Sequence, residues 1–255
     1  MDLGLKGKVA LVTGGGTGIG SGICEALAQE GVNVGVNYIV GKDEVVAFAA
    51  DLSKKYGTDC RPFYADISKA DDLDAMMKEL NAAYGHVDIL VNNAGVWPTE
   101  NILDMPDRNW EKVVDINLNG PFMLSKRVAQ QMVEKGIKGG TIINLSSKSG
   151  ITYNTGGHAH YASVKAGIIM MTKTFQRELA EYGIRINAIA PGMVRTPINE
   201  DKWSDPELKK KYEARIPSGR FALPVEIGYT VAFLASEKSF NIMGTVVDVT
   251  GGMLI

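Results

Sequence analysis

The chain has 255 residues, 45% hydrophobic and 22% charged, with a net charge of −2, which is the composition of a globular α/β protein with ample core. No basic stripe runs through it, so the main electrostatic reason for binding nucleic acid is missing. No apolar run approaches the ~20 residues that cross a bilayer, and Met1–Lys8 lacks the apolar core of a signal peptide, so a cytoplasmic, non-membrane protein is expected.

Segments of strand and helix periodicity alternate along the whole chain. Lys8–Thr13, Val32–Asn37, Cys60–Ala65, Val87–Asn92, Thr141–Leu145, Arg185–Ala190 and Thr245–Val249 read as strands. Gly18–Glu30, Lys42–Tyr56, Ala70–Tyr84, Asn109–Glu134, Tyr161–Tyr182 and Val225–Ser236 read as helices. Several strands are apolar on both faces, as a parallel sheet covered on each side requires. The pattern predicts one α/β domain over residues 1–255, a doubly wound Rossmann-type parallel sheet of about seven strands. A long insertion, Pro191–Leu223, interrupts the rhythm where a ligand would sit in such a fold, and reads as a substrate lid. Within it, the charge run Glu207–Arg215 is flanked by acids and reads as a solvated helix face. The cysteines, Cys24 and Cys60, fit neither a disulfide framework nor a metal motif.

Two constellations carry chemistry. The first strand runs into Gly14, Thr17, Gly18, Ile19 and Gly20 and then into a helix, the order that lets main-chain N–H groups meet a dinucleotide pyrophosphate. Tyr161 and Lys165 stand one helical turn apart, just downstream of Ser146, Ser147 and Ser149. A phenol with pKa ~10 needs about 4 kcal/mol of differential stabilisation to act as a base near pH 7, which a neighbouring ammonium and a cationic nicotinamide would supply.

The spacing from Thr13 to Gly20 resembles the glycine-rich turn of the short-chain dehydrogenase/reductase family. The resemblance continues through Asn92-Asn-Ala-Gly95, Asn117, Tyr161-x-x-x-Lys165 and Pro191-Gly192, over nearly the whole chain. It implies an NAD(P)-dependent oxidoreductase with Tyr161 as general acid/base and Lys165 lowering its pKa. Ser147 would bind the substrate oxygen, with Ser149 as its competitor because the loop to Tyr161 is one residue longer than is common. Asn117 would serve a proton relay, and its amide could equally kink a helix. The cofactor contacts implied are Asp66 and Ile67 at the adenine, Asn93, Ala94 and Gly95 at the ribose, and Val194 and Thr196 at the nicotinamide, beside Pro191 and Gly192. No metal is expected: His86, His158 and His160 lack a completing carboxylate cluster.

Asn37-Tyr38, at the end of the second strand, carries no acid to repel a 2′-phosphate, which favours NADP over NAD and leaves dual use open. The basic residues that NADP-preferring relatives place here are missing too; Lys42 is the nearest phosphate contact, or simply a solvated helix residue. The lid sequence and His160-Tyr161 are similar to bacterial glucose 1-dehydrogenases, which points to a sugar or polyol held by Asn154, Thr155, His158, His160 and Asn199. The alternative is a 3-oxoacyl thioester reductase, which would want a basic patch that the sequence does not locate. A non-catalytic nucleotide-binding regulator is the third reading, and the complete set of Asn117, Ser147, Tyr161 and Lys165 argues against it. The resemblance also implies a homotetramer.

Overall fold

The structure is a computed structural model describing residues 2–152 and 156–254. Seven parallel strands form one sheet: β1 (Val9–Val12), β2 (Asn33–Tyr38), β3 (Cys60–Tyr64), β4 (Ile89–Asn92), β5 (Thr141–Leu145), β6 (Arg185–Pro191) and β7 (Val246–Val249), in spatial order 3-2-1-4-5-6-7. The order reverses between β1 and β4, the point at which a crevice opens outside the strand ends. Every residue of β1, β4, β5 and β6 is buried; β1 is apolar throughout, while Asn92, Thr141, Asn144, Arg185 and Asn187 are buried polar residues of the other three.

One face of the sheet packs on α1 (Gly18–Gln29), α2 (Lys42–Tyr56) and α9 (Pro224–Ala235), through Val12, Ile23, Leu27, Val34 and Val231. The other packs on α3 (Ala70–Tyr84), α5 (Gly120–Glu134) and α6 (Ala159–Leu179), through Leu11, Leu73, Leu90, Leu124 and Ile142. Each aliphatic side chain buried this completely is worth about 1.5–3 kcal/mol. At Gly22 an added Cβ would stand 2.2 Å from the Pro224 carbonyl carbon, so only glycine lets α1 and α9 approach this closely. Arg185, at the first residue of β6, is 2% exposed; its guanidinium donates to the carbonyls of Leu234, Ala235 and Ser236 and so closes the C-terminal end of α9.

The helix expected over 109–134 is broken. It divides into α4 (Asp107–Val114), a π-helical turn (Asp115–Asn119) and α5. The cause is local: Asn117 turns inward and its amide donates to the Val113 carbonyl (3.0 Å), while hydrophobic periodicity continues across the break. The helix expected from Tyr161 starts at Ala159 and ends at Leu179, followed by a single tight turn to Tyr182. The insertion folds as a tight turn (Pro197–Asn199) and two short helices, α7 (Glu200–Ser204) and α8 (Pro206–Glu213). Its ends are stitched together where Val194 bridges Ala222.

Candidate active site

The glycine turn leaves β1 at the reversal of strand order. Gly14 and Gly18 take φ of +58° and +54°, a region that costs other residues strain, and a Cβ on Gly20 would lie 2.1 Å from the Gly14 carbonyl oxygen. Asn37 and Asn93 hold the turn. The Asn37 Oδ1 accepts from the Gly14 N–H (3.2 Å) and its Nδ2 donates to the Ala65 carbonyl (3.1 Å). The Asn93 Nδ2 donates to the Thr13 carbonyl (2.8 Å), and the Thr13 hydroxyl accepts from the N–H groups of Asn93 and Ala94. Both carboxamides expected to meet the cofactor are therefore engaged within the protein as braces of its cradle.

Thr17 precedes α1 with its hydroxyl exposed and not capping the helix, and Ile19 packs on the core behind it. Tyr38 ends β2, half-buried and edge-on to Tyr64, and Lys42 opens α2 in solvent. Asp66 accepts from the Ser68 N–H (3.0 Å). Ile67 does not flank an open surface as expected: it is 5% exposed, packed into the core against Gly120. On the far side, Pro191 ends β6, Gly192 lies tight on Thr250, and Val194 is buried at the base of the insertion. The Thr196 methyl would touch a Cβ built on Gly18 at 3.4 Å, so this side closes on the glycine turn. A turn without side chains, a free helix start and an open strand-order crevice fit a dinucleotide.

The catalytic candidates converge from three elements. Ser147 follows β5, and its Oγ accepts from the Ser149 N–H (3.1 Å), which holds the hydroxyl in place and turns Ser149 into a support. Tyr161 and Lys165 lie on one face of α6, the Lys165 Nζ 5.6 Å from the phenol ring centroid. Lys165 donates to the Leu145 carbonyl (2.7 Å), and the Ser146 hydroxyl donates to the Lys165 carbonyl (2.9 Å), so the end of β5 grips α6. Burial pushes Lys165 down to about 8. Burial also raises the Tyr161 phenol above its ordinary value, with a hydrogen bond to Ser147 opposing it. Desolvation is the largest cause of the shift at both groups.

Asn117 is 1% exposed, and its carboxamide exchanges two hydrogen bonds of 3.2 Å with the main chain of Val96. It thereby fastens the loop after β4 to the π-helical turn. Gly95 makes this possible, because a Cβ there would stand 2.4 Å from the Asn117 Oδ1. Behind these groups runs a buried polar chain that the sequence pattern did not announce: Asn92 donates to Asn144 (2.8 Å) and Asn144 to Thr172 (2.9 Å), linking β4, β5 and α6.

The wall facing the phenol differs from expectation. His160 is 0% exposed; its Nδ1 accepts from the Tyr161 N–H (2.9 Å), so it is part of the helix start rather than a substrate contact. Asn199 is 9% exposed and closes the turn before α7, accepting from the Thr196 N–H and donating to the Val194 carbonyl. Asn154 and Thr155 lie outside the described residues. Trp97, which the sequence pattern did not single out because it sits in an unpatterned loop, also stands at this wall. Its ring centroid is 6.2 Å from that of Tyr161 and 4.9 Å from the stacked His158 ring. Among the described residues no cluster of side chains could hold a metal ion, and no helix is long and apolar enough to cross a membrane.

Comparison with known proteins agrees with this geometry. The family described as enoyl-(acyl carrier protein) reductase matches residues 14–254. The chain belongs to the short-chain dehydrogenase/reductase family. It is 42% identical over 246 residues to the 3-oxoacyl-[acyl-carrier-protein] reductase FabG of Staphylococcus aureus, covering 96% of this chain and 98% of the relative. The FabG of Thermotoga maritima is 37% identical over 254 residues, covering 98% and 99%. A short-chain type dehydrogenase/reductase from Mycobacterium marinum superposes with a TM-score of 0.90 at 32% identity, covering 98% and 96%. The Pseudomonas aeruginosa RhlG/NADP active-site complex superposes with a TM-score of 0.91 at 28% identity, covering 98% and 97%. The chain is thus an oxidoreductase acting between alcohol and carbonyl with a nicotinamide dinucleotide. The curated relatives named here are thioester reductases rather than sugar dehydrogenases, which shifts weight from the sugar reading to its alternative.

Proposed function

We propose that this protein reduces the keto group of a 3-oxoacyl thioester, using NADPH in preference to NADH. The observation that carries the reading is the convergence of Ser147, Tyr161 and Lys165 where the end of β5 meets α6, two hydroxyls placed to hold a carbonyl oxygen and a lysine fixed beside the phenol. Two of the five residues expected to grip sugar hydroxyls support the same choice, since His160 is buried and Asn199 is engaged in its turn. The identity to thioester reductases supports it independently.

Bound at the glycine turn, the cofactor supplies the hydride. Ser147 and Tyr161 hold the keto oxygen, and the phenol O–H gives it a proton as its carbon is reduced. Lys165, fixed by the Leu145 carbonyl, stabilises the phenolate left behind and, with its pKa near 8, exchanges protons easily at neutral pH. Asn117 positions the loop that carries Gly95 and Trp97 rather than touching substrate. Thr17, Tyr38 and Lys42 surround the adenosine end, where no carboxylate closes β2, and this supports NADP. The insertion acts as the lid. A tetramer formed through α5 and α6 is supported by exposed Phe122 and Met170, 46% and 61% accessible, and light scattering tests it.

The functional test is nicotinamide absorbance with an acetoacetyl thioester and each reduced cofactor. Turnover favouring NADPH is expected. Turnover with NADH alone would remove the cofactor half of the reading, and none with either would remove it entirely.

A further inference from the structure

The entrance above the phenol is lined by cations that nothing in the chemistry so far uses. Lys202, on α7, sets its Nζ 4.8 Å from the Trp97 ring centroid and 5.9 Å from that of Tyr212. Arg215, just past α8, lies on the same Tyr212 ring, its guanidinium carbon 5.9 Å from the centroid. Lys148, the residue after the candidate catalytic Ser147, is partly buried, and burial and the Arg215 charge lower its pKa. A run of short steps, each between 4.8 and 6.2 Å, leads from the Tyr161 ring through Trp97, Lys202 and Tyr212 to Arg215.

Three carboxylates in and beside the lid are committed elsewhere. Asp205 caps α8, Glu213 faces Lys209, and Glu226 grips Arg220. Among the described residues none pairs with Lys148, Lys202 or Arg215. Like charges held together without counter-charge cost free energy unless an anion completes them. The solvated face expected over 207–215 holds for Lys210, Lys211 and Arg215, all exposed, with the Arg215 guanidinium resting on the Tyr212 ring.

Resting on the thioester reading, we propose that Lys148, Lys202 and Arg215 form an anion-binding rim that takes the phosphate of the pantetheine arm carrying the acyl group. Trp97 and Tyr212 hold the two lid cations in place through their ring faces and give the uncharged part of the arm an aromatic track.

The test uses the full-length protein saturated with NADP, so that the dinucleotide site is filled, and calorimetric titration with 4′-phosphopantetheine and with pantetheine. The phosphorylated arm should bind more tightly. Lys148→Gln, Lys202→Gln and Arg215→Gln should each cut that preference about tenfold, and the triple variant should abolish it. Equal affinity for the two arms in the wild type, no binding of either, or a preference surviving in the triple variant would overturn the rim. Turnover gives a second readout: the triple variant should lose at least tenfold more kcat/KM on acetoacetyl-coenzyme A than on the neutral N-acetylcysteamine thioester. Acetoacetyl-carrier protein run alongside distinguishes a carrier-borne arm from a coenzyme-borne one. A wild type that reduces none of these thioesters defeats the proposed function, while the binding titration still decides the rim.

Discussion

Lys165→Met should make the protein more stable at neutral pH while removing its activity. The lysine is buried and its pKa falls from 10.5 to about 8, so the folded state disfavours the charged form. A shift of that size is worth about 3 kcal/mol. For a depressed lysine the penalty is fully present below about pH 8 and fades as pH rises toward 10.5, where the unfolded chain also loses its proton. The hydrogen bond to the Leu145 carbonyl returns about 1 kcal/mol of this. Methionine fills a similar volume without charge, leaving a net gain of roughly 2 kcal/mol at pH 7. Urea unfolding of wild type and variant at pH 7, 8, 9 and 9.5 measures it. The raised Tyr161 titrates above this window and is common to both proteins. A variant no more stable than wild type at pH 7, or an advantage that does not shrink by pH 9.5, would refute the reasoning.

Tyr161→Phe removes the proton donor and should lower kcat by 10²–10⁴-fold, while nicotinamide fluorescence still reports cofactor binding; a retained rate would take Tyr161 out of the proton-donor role. Carbonyl reduction in the wild type should decline as pH rises through about 8, where Lys165 gives up its proton, and a flat kcat profile from pH 6.5 to 9 would contradict that assignment. Gly95→Ala places a methyl 2.4 Å from the Asn117 Oδ1, so kcat should drop about tenfold or more, as small displacements of a catalytic loop do, with the melting temperature nearly kept. Arg185→Met leaves the last carbonyls of α9 without donors inside the core and should destabilise by about 3 kcal/mol in urea.

What the sequence made legible was whatever depends on periodicity and on residue types that the backbone geometry demands. Buried strands announced themselves as apolar runs, and the glycines at 14 and 18 are required by positive φ. Tyr161 and Lys165 were readable because four residues make one helical turn. The π-helical turn at Asn117 was hidden, since it arises from one side chain bonding to its own helix and to Val96. Polar residues near the site were the least legible class. Asn37, Asn93, His160 and Asn199 all looked like ligand contacts, and the sequence did not reveal that each also holds backbone in place. Trp97 had no pattern to betray it, because its position depends on a loop pinned by Asn117 and on His158 stacking from the opposite side.

The most direct test of the account compares, at pH 7 and matched concentrations, NADPH-dependent reduction of an acetoacetyl thioester with NADP-dependent oxidation of D-glucose. The account predicts thioester reduction that Tyr161→Phe abolishes, with glucose oxidation at background. Glucose oxidation without thioester reduction would contradict it.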